Sequence, residues 1–230
     1  MSDPTKLEKK LQIKFKNHDL LLQALVHRSY INEHQNFRLD HNERLEFLGD
    51  AVLELAVTEY LYNHYPNPEG ELTNWRASLV NGSALAEVAN DLELEQYLML
   101  SRGEAKDKNT KARQYILANA MEAIIGAIFL DQGLAAAKKF IRGNIIIKLE
   151  NIITNKLYID AKSAFQERAQ EKLGITPIYK VISSTGPDHA KIFKVGIYLD
   201  KELVAVAEGT NKQEAQTEAA KKGLKIKNWN

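Results

Sequence analysis

One stretch narrows the choice of fold more than any other: Asn42-Glu43-Arg44-Leu45-Glu46-Phe47-Leu48-Gly49-Asp50-Ala51-Val52-Leu53. It opens a segment with helical spacing that is apolar on almost every side. At about 100° per residue, Glu43, Glu46 and Asp50 (i, i+3, i+7) fall within an arc of roughly 60°. Leu45, Leu48, Val52 and Leu55 take the opposite side, and Phe47 sits beside the acids. A helix this apolar belongs inside a helical core, where three stacked carboxylates repel one another and lose hydration. Either a divalent cation or a cationic partner compensates them, or the stripe is a solvated acidic face, with Glu54 near it.

The helical period continues on both sides. Lys6 to Ile13 and Asp19 to Arg28 read as helices, followed by a polar stretch from Asn32 to His41. The acid-bearing helix runs to about Tyr65, where Pro66-Asn67-Pro68-Glu69-Gly70 breaks it. Leu72 to Leu92 is helical with an interruption at Asn81-Gly82. Ala105 to Arg113 is charged, has no apolar side chain larger than Ala, and reads as a flexible loop. Gln114 to Leu130 and Leu134 to Thr154 read as two more helices, and nothing before Thr154 suggests a strand.

After Lys156 the period changes. Ala161 to Leu173 is a helix closed by Gly174 and Pro177. Ile178 to Ser183, Ile192 to Leu199 and Leu203 to Glu208 then read as strands rich in β-branched and aromatic residues. A tight turn at Asp200-Lys201 joins the last two. Asn211 is placed to cap a final helix from Lys212 to about Lys225. The expected fold is therefore an all-α N-terminal domain over residues 1–155 and an α+β domain of order α-β-β-β-α over 160–228.

Composition excludes several classes. With 44% apolar and 27% charged residues, the 230-residue chain matches an ordinary globular protein. There is no cysteine, hence no disulfide framework and no thiolate chemistry. The N-terminus leads into a charged helix rather than an apolar signal core, and no run is read as the roughly 20 apolar residues of a membrane span. A cytoplasmic protein is expected. The net charge of +1 is divided unevenly: 13 Lys/Arg against 9 Asp/Glu from Lys156 onward, 18 against 21 before it. A basic C-terminal part suits a polyanion.

A second acidic pattern lies in Ile116-Leu117-Ala118-Asn119-Ala120-Met121-Glu122-Ala123-Ile124-Ile125-Gly126-Ala127. Asn119 and Glu122 share a face, and Ala118, Ala123 and Gly126 offer small surfaces for close packing. By itself this reads as a core helix with one acid at its edge, in preference to a site.

Asn42 to Leu53 resembles the ribonuclease III signature, and Ala24-Leu25-Val26-His27-Arg28-Ser29-Tyr30 is similar to the family's segment upstream of it. Ile116 to Ala127 resembles the family's second catalytic helix. The C-terminal segment resembles a double-stranded RNA-binding domain, with Gly186-Pro187-Asp188-His189 and Asn211-Lys212 at its loop and helix start. The resemblance covers essentially the whole chain in the bacterial domain order.

That resemblance implies a Mg²⁺-dependent endoribonuclease specific for double-stranded RNA, with Mn²⁺ as an alternative ion. Glu46, Asp50, Asn119 and Glu122 would hold metal, and Glu43, Asp50 and Glu122 would be catalytic, Glu43 also binding substrate. Phe47 would lie at the interface of a homodimer. Gln166, Glu167, His189 and Lys212 would contact RNA. The products would carry 5′-phosphate and 3′-hydroxyl ends with short 3′ overhangs, in rRNA and mRNA processing.

Two departures from the family pattern stand out: Asn119 replaces the usual Asp, and Gln213 replaces a frequent second basic residue. Asn119 opens an alternative, a non-cleaving or weakly cleaving duplex-RNA-binding protein. A metal phosphohydrolase of small substrates would explain the acids but leave the basic domain idle.

Overall fold

The computed structural model describes residues 4–108, 110–158, 160–187 and 191–229. The chain divides into two compact units, Met1–Tyr158 and Ile159–Asn230.

The first unit is helical: α1 (Pro4–Leu11), α2 (His18–Ala24), α3 (Arg28–Glu33), α4 (Glu43–His64), α5 (Glu69–Val80), α6 (Gly82–Asp91), α7 (Lys111–Gln132), α8 (Leu134–Asn144) and α9 (Leu149–Thr154). Its core is built on α4 and α7, each 22 residues long. Met121, Ile124, Ile125 and Ile128 of α7 are fully buried, as are Leu53 and Val57 of α4. By length and composition α7 could cross a membrane, contrary to the expectation that no run would qualify. However, 61% of its apolar window is buried within this unit, which makes it a core helix.

The two long helices touch backbone to backbone. A Cβ at Gly49 would lie 1.8 Å from the carbonyl oxygen of Glu122, and one at Gly126 would lie 2.3 Å from that of Leu45. Neither neighbour is a side chain that could turn aside. These glycines are therefore required by the approach of α4 to α7, and any side chain there must part the helices.

Sequence and structure differ where tertiary contacts overrule local period. Asp19 to Arg28 is not one helix: α2 ends at Ala24, and His27 caps α3. The backbone between them is claimed from elsewhere. Met99 N–H donates to Leu25 O at 2.9 Å, His27 N–H to Met99 O at 3.0 Å, and Asn42 N–H to Val26 O at 2.9 Å. A single parallel bridge, Val26 to Met99, results among the described residues of the otherwise helical unit.

Residues 105–113 are not a plain loop. A 3₁₀ turn spans Glu104–Lys106, and Arg113, in the first turn of α7, is buried at 4% exposure. Its guanidinium donates to the carbonyls of Glu104 and Asp107 and faces Glu95 at 3.8 Å. The expected helix from Leu134 to Thr154 breaks after Asn144 into a 3₁₀ turn, Ile146–Lys148, before α9. Three successive isoleucines, stiff at χ1 and poor in helices, occupy the break. Leu55, expected opposite the acids, is 54% exposed instead.

The second unit comprises α10 (Ala161–Leu173), β1 (Ile178–Thr185), β2 (Ile192–Leu199), β3 (Glu202–Gly209) and α11 (Lys212–Lys227). The strands form one antiparallel sheet in the order β1-β2-β3, with Val181 opposite Val195 and Val195 opposite Ala207. The helices cover one face of it. Phe165, fully buried, packs 5.1 Å from the Trp229 ring and so close to Gly223 that a Cβ there would meet it at 2.7 Å.

The helix crossing gives a direct test. Gly49→Ala should destabilise the protein by about 3 kcal/mol, the upper range for forcing atoms into a packed core. Gly70→Ala, with nothing within 4 Å of the new methyl, should change little. Denaturant unfolding of both variants measures the difference.

Candidate active site

The crossing of α4 and α7 brings polar groups of both helices to one cleft. Its position is set by Asn42, which is 3% exposed and whose Nδ2 donates to Ala24 O at 3.2 Å. The side chain is thus spent on tying the start of α4 to the end of α2 rather than on capping the helix. Only its carbonyl takes part in the first turn, accepting from Glu46 N–H at 2.9 Å.

Glu43 is exposed and faces Arg28 and His41: Arg28 Nη1 lies 3.4 Å from its Oε1, and His41 Nδ1 lies 3.8 Å from its Oε2. One turn on, Glu46 is half-buried, and its Oε2 is buried without a hydrogen-bond partner. Burial raises the Glu46 pKa, the Glu43 charge raises it further, the Asn119 side chain opposes this, and Asp50 adds to the rise. Across the cleft, Glu122 is pushed up to about 7 by burial, with the charges of Asp50 and Glu46 contributing. Asp50 itself is exposed, and Asn119 is half-buried. Glu46, Asp50, Asn119 and Glu122 therefore share one electrostatic environment, with Glu43 at its edge.

Among the described residues, no three His, Cys, Asp or Glu side chains stand close enough together to hold one ion as they are. The donor set nevertheless fits a hard divalent cation. It offers oxygens only, includes a buried carboxylate oxygen with no partner, and holds acids that repel one another. A cation there would relieve both costs.

In the second unit Gln166 and Glu167 are exposed on α10, directly after buried Phe165. Asp160 caps that helix, accepting from Ser163 N–H at 3.1 Å. Lys212 opens α11, exposed, with its Nζ 5.9 Å from the centre of the Phe193 ring. Asn211 caps α11, accepting from Glu214 N–H at 2.9 Å. Lys221 is paired with Glu218 at 2.7 Å, and Lys222 donates to Val206 O at 3.2 Å. His189 lies outside the described residues.

Sequence reasoning passed over Asn42 as an anchor, Gly49 as a contact and Arg113 as a buried residue. For Gly49 a signal existed, since a glycine within a long apolar helix marks close approach. Arg113 had none, because it is surrounded by solvated charges.

A helical unit with carboxylates in a two-helix cleft is joined to an α-β-β-β-α unit, and comparison with known proteins gives the class. Residues 17–149 match the family described as Ribonuclease-III-like, and residues 161–227 match the double-stranded RNA binding motif. Ribonuclease 3 of a Nitratiruptor species is 41% identical over 98% of this chain and 97% of its own length. Ribonuclease 3 of Syntrophomonas wolfei is 46% identical over 93% and 90%. The solved nuclease domain of ribonuclease III from Campylobacter jejuni superposes with a TM-score of 0.54 at 41% identity, covering 62% of this chain and 98% of that one. The chain belongs to the ribonuclease III family, the double-strand-specific endoribonucleases. These relatives give no support to the non-cleaving alternative.

Glu122 links the cleft to stability. In the unfolded chain its carboxyl titrates near its ordinary value of 4.5, and in the metal-free fold at about 7. Between those values the folded state holds the extra proton, so stability falls as pH rises through the window. Glu122→Gln should remove that slope. Allowing for partial exposure of the group, wild type should lose about 1–2 kcal/mol more than the variant between pH 5 and pH 8. Denaturant unfolding in chelator at the two pH values gives the comparison.

Proposed function

We propose that the protein is a homodimeric, Mg²⁺-dependent endoribonuclease that cuts both strands of duplex RNA. The ends would be 5′-phosphate and 3′-hydroxyl with short 3′ overhangs, and the setting rRNA and mRNA processing in the cytoplasm. The observation that carries this reading is the two-helix cleft, in which burial and the charges of neighbouring acids, Asp50 among them, disfavour ionisation of Glu46 and Glu122. Mg²⁺, or Mn²⁺ in its place, would supply an activated water and charge relief at the phosphoryl oxygens.

Glu46, Asp50, Asn119 and Glu122 would hold the ion, Glu46 through the oxygen that has no partner. Glu122 would give up its proton on loading and, with Asp50, orient the attacking water. Glu43, balanced between Arg28 and His41, would position the RNA strand at the mouth of the cleft. Asn119 contributes a carbonyl but no charge, so it lowers the attraction for the ion without removing a ligand. Gln166, Glu167 and His189 would meet ribose hydroxyls across the minor groove of the duplex, which is read by shape. Lys212 would meet a phosphate.

A dimer is supported by one exposed stripe on α4. Phe47 is 81% exposed, Leu55 54% and Tyr62 79%, and their spacing keeps them within about 80° of arc. Apolar side chains so exposed on a core helix suit a self-complementary contact. Pairing two copies of α4 antiparallel about Leu55 would set the Phe47 of each copy against the far end of the other's α4, beside a recess lined by Thr58, Tyr65, Pro66 and Leu72. Two cleavage centres would then face the two strands.

A long RNA duplex incubated with and without Mg²⁺ tests the chemistry: cleavage with the stated ends is expected only with the ion, and none with Glu122→Gln. Asn119→Asp should lower the Mg²⁺ concentration for half-maximal cleavage several-fold. Cleavage that persists in Glu122→Gln, or an unaltered ion requirement in Asn119→Asp, would contradict the assigned roles. Phe47→Asp should sediment as a monomer, and a dimer that survives the change would remove Phe47 from the interface.

A further inference from the structure

Lys111, Tyr115, Asn119 and Glu122 stand at i, i+4, i+8 and i+11 on α7, within an arc of about 80°. The last two belong to the cleft. Tyr115 is 65% exposed, although Arg113, Ile116, Leu117 and Ala118 around it are all buried. Its ring lies along the start of α6: an atom at the Cβ position of Gly82 would be 3.8 Å from its Cδ1 and Cε1 and 3.9 Å from Cβ of Ala118. The ring is thus braced by backbone on one side and open on the other. One turn further out, Lys111 is exposed and makes no ion pair with the described residues.

A large aromatic stands in solvent one turn from a carboxylate cleft, followed by an exposed cation with no ion pair among the described residues, on a helix otherwise devoted to the core. Duplex RNA supplies what both side chains lack. Its backbone offers phosphates to an ammonium group and 2′-hydroxyls, donor and acceptor together, to a phenol. The four residues cover about 16 Å of helix, so the strand entering the cleft would run along this face.

We infer that Tyr115 is a specificity-determining residue: its hydroxyl reads a ribose 2′-hydroxyl of the strand being cut, and Lys111 binds a phosphate beyond it. The inference rests on the endoribonuclease reading above and adds to it a means of telling RNA from DNA at the cleavage centre itself, separate from the C-terminal unit.

The test is a coupling experiment on the full-length protein. Duplexes carrying a single 2′-deoxy substitution at successive positions around the cut are cleaved by wild type and by Tyr115→Phe, which keeps the ring. One position should raise the wild-type KM about three- to tenfold, the range of one hydrogen bond, while Tyr115→Phe is already raised and indifferent to that substitution. In a Glu122→Gln background, Lys111→Ala should reduce the slope of log binding constant against log salt by about 0.7–0.9. Equal sensitivity of wild type and Tyr115→Phe at every position overturns the role of Tyr115, and an unchanged salt slope overturns that of Lys111. If Tyr115→Ala sediments as a monomer, the ring belongs to the subunit contact and the inference fails. If wild type cleaves no duplex at all, the endoribonuclease reading has failed, and this one falls with it.

Discussion

Everything distinctive about the first unit depends on two helix backbones being allowed to touch. Packed helices ordinarily stand about 8–10 Å apart, spaced by their side chains. At Gly49 and Gly126 there are none, and α4 meets α7 peptide to peptide. That contact decides which side chains can share a cleft. Asp50 and Asn119 are short, and across a normal helix spacing neither would reach the other helix. With the backbones in contact, Glu46 feels Asn119 and Glu122 feels both Asp50 and Glu46. The glycines are therefore as much a part of the site as the acids, although they contribute no functional group.

The same contact sets the energetic problem. A cleft that gathers carboxylates in a half-buried place destabilises the metal-free fold, and the rest of α7 must offset it. Met121, Ile124, Ile125 and Ile128 do so by complete burial, each worth about 1.5–3 kcal/mol against solvent exposure. Near neutral pH a proton on Glu122 can relieve part of the repulsion. Under the proposed metal role, loading a cation would exchange that proton, which would tie metal affinity to pH. Asn119 eases the metal-free state in the same direction, by removing one charge from a crowded place. Under the proposed metal role, Asn at this position would shift the balance between stability without the ion and affinity for it.

The sequence showed this balance unevenly. α4 and α7 were legible because a long apolar period with acids at i, i+3 and i+7 has few physical solutions. The strands of the second unit, β2 in particular, were legible from β-branched and aromatic content and from turn residues. What local pattern could not carry was set by distant partners. Leu25 and Val26 leave a helical sequence because Met99 and Asn42 take their backbone groups. Arg113 is buried by a turn that folds over it. Tyr115 was hidden for the opposite reason: within a run of isoleucine, leucine and alanine an aromatic reads as core, and only its exposure distinguishes it. Leu55 misled in the same way. Burial of any one position on a nearly all-apolar helix is decided by which neighbours arrive, and the sequence of the helix does not contain them.

The division of charge between the two units follows from the chemistry. A cleft built from carboxylates would repel the polyanion it is proposed to cut, and the N-terminal part carries more acid than base. The chain therefore needs a separate source of attraction, and it has one in a tethered unit with excess Lys. Yet in that unit Lys221 and Lys222 are engaged within the fold, and Lys212 is left at the head of α11 with its ammonium near the Phe193 ring. If these lysines keep their partners within the fold, affinity at each contact would be modest, and tethering would raise the effective concentration of the cleft once the RNA is held. Modest affinity has a use. An enzyme that must release two cut ends gains nothing from gripping them, so capture can be weak, as long as the proposed cleft would supply the interactions that grow only when the phosphate is under attack.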